Sequence, residues 1–356
     1  MNARVAVLCA ALASALPLCA LAQGFAGMAR DAEGYGLPQR GQRLAFPIDH
    51  GAHPDFRIEW WYLTANLEAP DGTPYGIQWT LFRNALAPGN PGTGWSSSQA
   101  WMGHAALTDE TAHRGAMRIA RGGIGQAGVT TAPFAAWIDE WRMQGIAPPG
   151  EDPLSALSLT AQGADFGYDL QLAAEGPLVL HGEEGFSVKA ESGQASYYYS
   201  QPFYRVTGRL DLPDGAVAVT GQAWLDREWS SQPLAEDQNG WDWFSLHFED
   251  GSKLMAFQLR GEGTAFRSGT WIAADGSATP LSDDALALRP LSETQVAGRR
   301  IPTRWRLALP AHGVDITITA LRGDAWMDTM VPYWEGPVRV NGTHAGTGYL
   351  EMTGYE

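Results

Sequence analysis

The stretch Ile58-Glu-Trp-Trp-Tyr-Leu-Thr-Ala-Asn-Leu67 alternates between two kinds of position. Ala69-Pro-Asp-Gly72 then supplies a turn, and Tyr75-Gly-Ile-Gln-Trp-Thr-Leu-Phe82 runs back. A period of two sends successive side chains to opposite faces of a strand, so this stretch specifies a β-hairpin and does not suit a helix. The pattern recurs at 99–108, 117–121, 135–143, 155–162 and 166–174. After the run Tyr197-Tyr-Tyr199 it returns at 203–212, 217–225, 241–249, 253–260, 265–273, 303–309, 314–321, 334–341 and 346–354. Only 110–115 and 282–288 read as short helices. With 42 Gly and 22 Pro punctuating these runs, the expected fold class is all-β, built of barrels or sandwiches.

The two series echo each other. Trp60-Trp-Tyr-Leu-Thr-Ala-Asn-Leu-Glu68 aligns without gaps on Trp241-Asp-Trp-Phe-Ser-Leu-His-Phe-Glu249. Each is followed by Asp-Gly and a return strand that ends near an Arg, Arg83 or Arg260. This predicts a duplicated β-barrel with its boundary near 185–195, giving domains at 44–190 and 191–356. Residues 23–43 are Gly-rich and aperiodic and read as an extended leader.

The opening MNARVAVLCAALASALPLCALAQ reads as a cleaved export signal. It has one Arg, an apolar core too short to span a membrane, and Ala20-Leu-Ala22 as a small-x-small cleavage site after Ala22. The expected destination is the periplasm or the exterior. Both cysteines, Cys9 and Cys19, lie in that segment, so thiol catalysis, disulfides and Cys-zinc sites are excluded from the mature chain. The formal net charge of -15 becomes -16 without Arg4, which disfavours nucleic acid and anionic membranes as partners. No later apolar run is long enough for a transmembrane helix. The remaining lysines are Lys189 and Lys253, and neither a Gly-x-Ser-x-Gly motif nor a Lys-bearing phosphate loop occurs.

The candidate chemistry concentrates at 221–260. In Trp224-Leu-Asp-Arg-Glu-Trp229, strand geometry puts Trp224, Asp226 and Glu228 on one face and Arg227 on the other. Acids beside indoles have displaced pKa values and suit general-acid work; the alternative is an acid–Arg network that locks a loop. Asp242 sits between Trp241 and Trp243, and His247 follows them. Glu59 shares a face with Trp61, opposite Trp60 and Tyr62, and Arg83 is its natural counter-charge. His104 is an isolated strand imidazole. His50 and His53 fit zinc only loosely, and no metal or other cofactor is assigned.

Seven motifs together resemble the AttH-like group of the carotenoid 1,2-hydratase family. They are Phe46-Pro-Ile-Asp-His-Gly51, Glu59-Trp-Trp-Tyr62, Gln78-Trp-Thr-Leu-Phe-Arg83, His104-Ala-Ala-Leu-Thr-Asp109, Trp224–Trp229, Gly240-Trp-Asp-Trp243 and Gly348–Tyr355. The resemblance implies two consecutive lipocalin-like antiparallel β-barrels, and hydration of an isoprenoid double bond by an Asp in a Tyr-x-Asp pair. Here the matching triplet is Trp224-Leu-Asp226, and the nearest counterparts of the family's His-x-Trp pair are Tyr197 and Tyr199. The resulting expectation is a cofactor-independent hydro-lyase for a hydrophobic, isoprenoid or lipid-like ligand. Asp226, Glu228 and Asp242 are its candidate catalytic groups, and Trp224, Trp241, Trp243, Tyr197, Tyr199, Glu59, Trp61, His104 and His247 line its site. Two readings stand beside it: a non-catalytic carrier working with a lipoprotein-release-type ABC transporter, and a carboxylate-pair glycan hydrolase.

Overall fold

The computed structural model describes residues 32–263 and 265–355; the export signal read at residues 1–22 lies outside them. The all-β expectation holds. The chain forms two strongly curled antiparallel sheets, and the described regular elements that are not strands are 3-10 helices of three residues. Both helical expectations fail. The 110–115 segment is a turn entering the strand His113–Arg121, and 282–288 holds only the 3-10 helix Asp283–Ala285. Segments this short cannot nucleate an α-helix unaided, and ladder pairing claims their neighbours.

Each sheet pairs its first strand with its last. Ile58–Glu68 pairs with Gly215–Ser230, and Gln238–Phe248 pairs with Gly346–Met352. The first strands also pair with their own return strands, Pro74–Ala85 and Lys253–Gly261, so the aligned Trp-rich hairpins occupy the same place in both sheets.

The division between the sheets differs from the sequence expectation. Segment 185–195 is not a boundary: Phe186–Val188 folds back on Ala195–Leu212 with Val188 opposite Ala195, a hairpin inside the first sheet. Ala195–Leu212 and Gly215–Ser230 complete that sheet, and the crossing to the second sheet falls after Ser230 and before Gln238. A turn within a sheet and a turn between sheets share the same Gly-rich composition, so composition could not separate them. Asp226 therefore belongs to the first sheet.

Three apolar layers result. Trp61, Trp79 and Trp141 help to fill the interior of the first sheet, and Phe244, Trp305 and Trp334 that of the second. The third layer lies between the sheets and contains Tyr62, Tyr198, Trp224, Trp243, Phe257 and Tyr349. Each fully buried aromatic contributes roughly 2–3 kcal/mol of burial free energy. Polar contacts fix the docking: Asn66 Nδ2 donates to the Gly348 carbonyl at 2.9 Å, His104 Nδ1 meets the Tyr333 hydroxyl at 2.9 Å, and the Tyr62 hydroxyl donates to Glu335. Gly76 is required here, because a Cβ on it would lie 2.5 Å from Pro337 Cγ of the other sheet.

Candidate functional site

The register of the first sheet selects the side chains that face the second. Asp226 lies opposite Tyr62 on one side and Ser200 on the other; Glu228 lies opposite Trp60 and Tyr198. Residues directly opposite share a face, so all six point the same way. All but Ser200 meet Trp241, Trp243 and Glu351 of the second sheet around a cavity of about 90 Å³. That is room for several waters or for the end of an apolar molecule. Phe82, Leu234, Phe257 and Leu259 complete its apolar walls, and Lys189 is its cationic group.

Asp226 is 1 % exposed and accepts three hydrogen bonds. Trp224 Nε1 donates to Oδ1 at 2.7 Å, the Ser200 hydroxyl donates to the same oxygen, and the Tyr198 hydroxyl donates to Oδ2 at 2.9 Å. Tyr198 is held in turn by Trp243 Nε1 at 3.0 Å, and Ser200 Oγ lies 2.5 Å from His181 Nε2. Burial pushes the Asp226 carboxyl up to about 7, although the three donors favour its charged form; the neighbouring Glu228 charge adds to the rise. Neither Arg227 nor Arg209 neutralises it. Arg227 turns to the opposite face, and Arg209 pairs with Asp211 at 3.2 Å. Glu228 differs: Lys189 Nζ approaches Oε1 to 2.8 Å, and the Ser196 hydroxyl donates to the same oxygen.

A model of the AttH-like family matches residues 37–355. The chain belongs to the AttH-like family. Among solved structures it is similar to an AttH from Nitrosomonas europaea, at 34% identity and TM-score 0.79, covering 90% of this chain and 100% of that one. Kievitone hydratase from Nectria haematococca shares the fold at 16% identity and TM-score 0.66, with 91% and 98% covered. CghA, in its structure with Sch210972, does so at 11% identity and TM-score 0.55, with 91% and 97% covered. No curated protein sequence matches. The two-barrel, lipocalin-like architecture is thus a fold that this chain has in common with both kievitone hydratase and CghA.

In this AttH-like chain the pleat sorts the residues singled out from sequence. Asp226, Glu228, Trp241 and Trp243 line the cavity. Trp224 holds Asp226 from behind. His247 lies in the same layer, against Trp224 and bonded to the Pro202 carbonyl at 2.9 Å, and burial lowers its pKa to about 4. His104 stands beside Phe82, bonded to Tyr333, with burial lowering its pKa to about 3.

Glu59, Trp61, Tyr197 and Tyr199 sit instead on the interior face of the first sheet, away from Asp226. Glu59 is enclosed by Arg83, by Arg227 Nη2 at 3.3 Å and by His53 Nδ1 at 3.0 Å. Burial alone would raise its pKa, but these cations hold it far below the carboxylate range. Arg227 stacks on Trp61 at 3.8 Å, Tyr199 bonds His50 at 2.7 Å, and Tyr197 accepts from the Gln39 amide at 2.8 Å. Asp242 lies on the interior face of the second sheet, bound by Gln258 at 2.6 Å, Arg260 at 3.1 Å and Tyr355 at 2.9 Å. The grouping of Asp242, Tyr197 and Tyr199 with Asp226 is therefore corrected: alternation sends them to other faces. Among the described residues no cluster of three or more His, Asp or Glu has a metal-binding arrangement.

Sequence reasoning missed Tyr198, Ser200, His181, Lys189, Tyr62 and Glu351. Tyr198 was within reach, since the middle tyrosine of three must face opposite to its neighbours. The other five depend on strand pairing that no local pattern reveals.

Proposed function

We propose that this cavity adds water to, or removes it from, an apolar alkene-bearing molecule, with Asp226 as the proton donor. The observation that carries the reading is a carboxyl that keeps its proton near neutral pH and faces an aromatic-walled cavity on the outside of the first sheet. Protonation of a trisubstituted double bond by Asp226 leaves a tertiary cation. Trp60, Trp241 and Trp243, which line the cavity, stabilise it by cation–π attraction, and water then closes the reaction. The Trp224, Ser200 and Tyr198 donors stabilise the carboxylate left behind, as a general acid requires. The cavity volume fits the reacting end of a molecule whose remainder extends out of the cleft. The fold shared with a hydratase supports the reaction class, and the ligand class follows from the apolar lining.

The test is incubation of wild type and Asp226→Asn with linear terpenoids bearing trisubstituted alkenes in ¹⁸O-water, with label uptake read by mass spectrometry. The wild type should incorporate label. Asp226→Asn should lose about a hundredfold or more in rate while still quenching its tryptophan fluorescence on binding. Undiminished hydration by Asp226→Asn, or binding with no conversion by the wild type, refutes the reading; the latter outcome leaves a carrier. The signal-like residues 1–22 support placing this activity in the periplasm or outside the cell, which cell fractionation tests. The same fractions, probed by co-purification, test an exporter partner.

A further inference from the structure

The duplicated hairpins put a second acid where the first one is. In the aligned pair, Tyr62 corresponds to Trp243. Asp226 lies directly opposite Tyr62 on the closing strand of the first sheet, and Glu351 lies directly opposite Trp243 on the closing strand of the second. The closing strands agree in sequence as well: Trp224-Leu-Asp226 stands against Tyr349-Leu-Glu351. The corresponding residues also meet in space. The Tyr62 and Trp243 rings are 5.2 Å apart, and Trp60 and Trp241, each across from an apolar partner (Phe82 or Leu259), line the same cavity. The cavity therefore lies on an internal pseudo-twofold relation, in which Asp226 of the first barrel has Glu351 of the second as its counterpart.

The surroundings of Glu351 fit a working group. Trp241 Nε1 donates to Oε1 at 2.7 Å, which aims the carboxyl. Glu351 is partly buried between the two sheets and lines the cavity. The groups around it are Tyr62 on the first strand, Tyr333 and Glu335 on its neighbour Tyr333–Gly342, and Asp226 and Glu228 across the cavity, with Lys189 engaged by Glu228. Burial pushes Glu351 up to about 7, and the charges of Asp226 and Glu228 push in the same direction.

We propose that Glu351 is the second catalytic group of this cavity: it accepts the proton of the attacking water while Asp226 delivers one to the alkene, and the two carboxyls share a single proton at rest. This rests on the hydration reading above. The Asp226 O–H bond breaks and the alkene π pair forms a C–H bond. A water lone pair then forms the C–O bond at the cationic carbon, and the water O–H bond breaks toward the Glu351 carboxylate. Return of that proton from Glu351 to Asp226 restores the starting state with no net gain or loss.

Two readouts on the full chain test the proposal. The first is infrared titration of the carboxyl C=O bands in wild type, Asp226→Asn and Glu351→Gln. Removing either acid should shift the midpoint of the other toward acid pH, because a like charge has gone. The second is label uptake from ¹⁸O-water with the same terpenoids. Glu351→Gln should lose roughly a hundredfold in kcat and the acid limb of its pH–rate profile, and Glu351→Asp should recover part of both. Independent titrations in the single variants overturn the shared proton, and normal turnover by Glu351→Gln overturns the catalytic role. If the wild type hydrates none of the terpenoids, the functional reading fails and with it the catalytic role, while the infrared midpoints still decide whether the acids are coupled. Near-UV dichroism of the tryptophans checks folding, and Glu351→Asp replaces Glu351→Gln should the latter not fold.

Discussion

Asp226→Asn should make this protein more stable, and increasingly so as the pH rises. Burial holds the Asp226 carboxyl at about 7 in the folded chain, against the ordinary aspartate value of 3.8. Below about pH 4 both folded and unfolded states are protonated and the group contributes nothing. As pH rises the unfolded chain ionises first while the folded chain keeps its proton, so stability falls through this interval and levels off above the folded-state pKa. At about 1.4 kcal/mol per pKa unit, the displacement corresponds to about 4 kcal/mol, an upper bound because water entry or local relaxation reduces it. Asn cannot ionise. Its amide oxygen can still accept from Trp224 and Ser200, and its amide nitrogen can donate to the Tyr198 oxygen, so the packing survives. Urea unfolding of both proteins at several values between about pH 5 and pH 8, followed by tryptophan fluorescence, measures the difference. It should be about 1.5 kcal/mol near pH 5 and grow by a further ~2–3 kcal/mol by about pH 8. A difference that stays flat with pH would refute the reasoning, since it would mean that Asp226 ionises as readily in the fold as in the open chain.

Two further substitutions probe the frame around the site. Arg83→Met should cost about 3–5 kcal/mol, measured by thermal unfolding, because it strips a buried cation from Glu59 and leaves the Gln99 side chain and the His53 and Phe56 carbonyls without their donor. Gly76→Ala should destabilise by about 1–3 kcal/mol by driving a methyl group into Pro337, and Pro337→Ala in the same chain should recover much of that loss; an additive double variant would show that the two do not meet.

The all-β class and the hairpins were legible because a period of two is a local property, written into Ile58–Leu67 and repeated at Trp241–Glu249. The facing of Asp226 and Glu228, with Arg227 turned away, was legible for the same reason, as was the Glu59–Arg83 pair. Pairing across the sheet was not. Tyr197 and Tyr199 lie on the strand beside Asp226, yet the register sets Ser200 against it and Tyr198 against Glu228, so the named tyrosines face the other way. Asp242, flanked by two cavity tryptophans in sequence, is sent to the opposite face by the alternation that places them there. The sheet boundary was misplaced because Val188 and Ala195 close a hairpin whose turn looks, in composition, like a linker.

The position of the cavity has a physical cause. The interior of each barrel is filled by large aromatics, Trp61, Trp79 and Trp141 in one and Phe244, Trp305 and Trp334 in the other. The outer faces of the Trp-rich hairpins are aromatic as well, and each would be costly to leave in water; packing them together buries both. Two convex aromatic faces related by a repeat cannot interdigitate perfectly where like meets like, as at Tyr62 against Trp243, and space remains beside that contact. Because each closing strand carries an acid one ladder rung from that point, the same packing that removes the aromatics from water also removes the carboxyls from it. A duplicated hydrophobic hairpin with an acidic neighbour thus brings a pair of acids together between the sheets, and Lys189 and Leu234, outside the strands, complete the chamber around them.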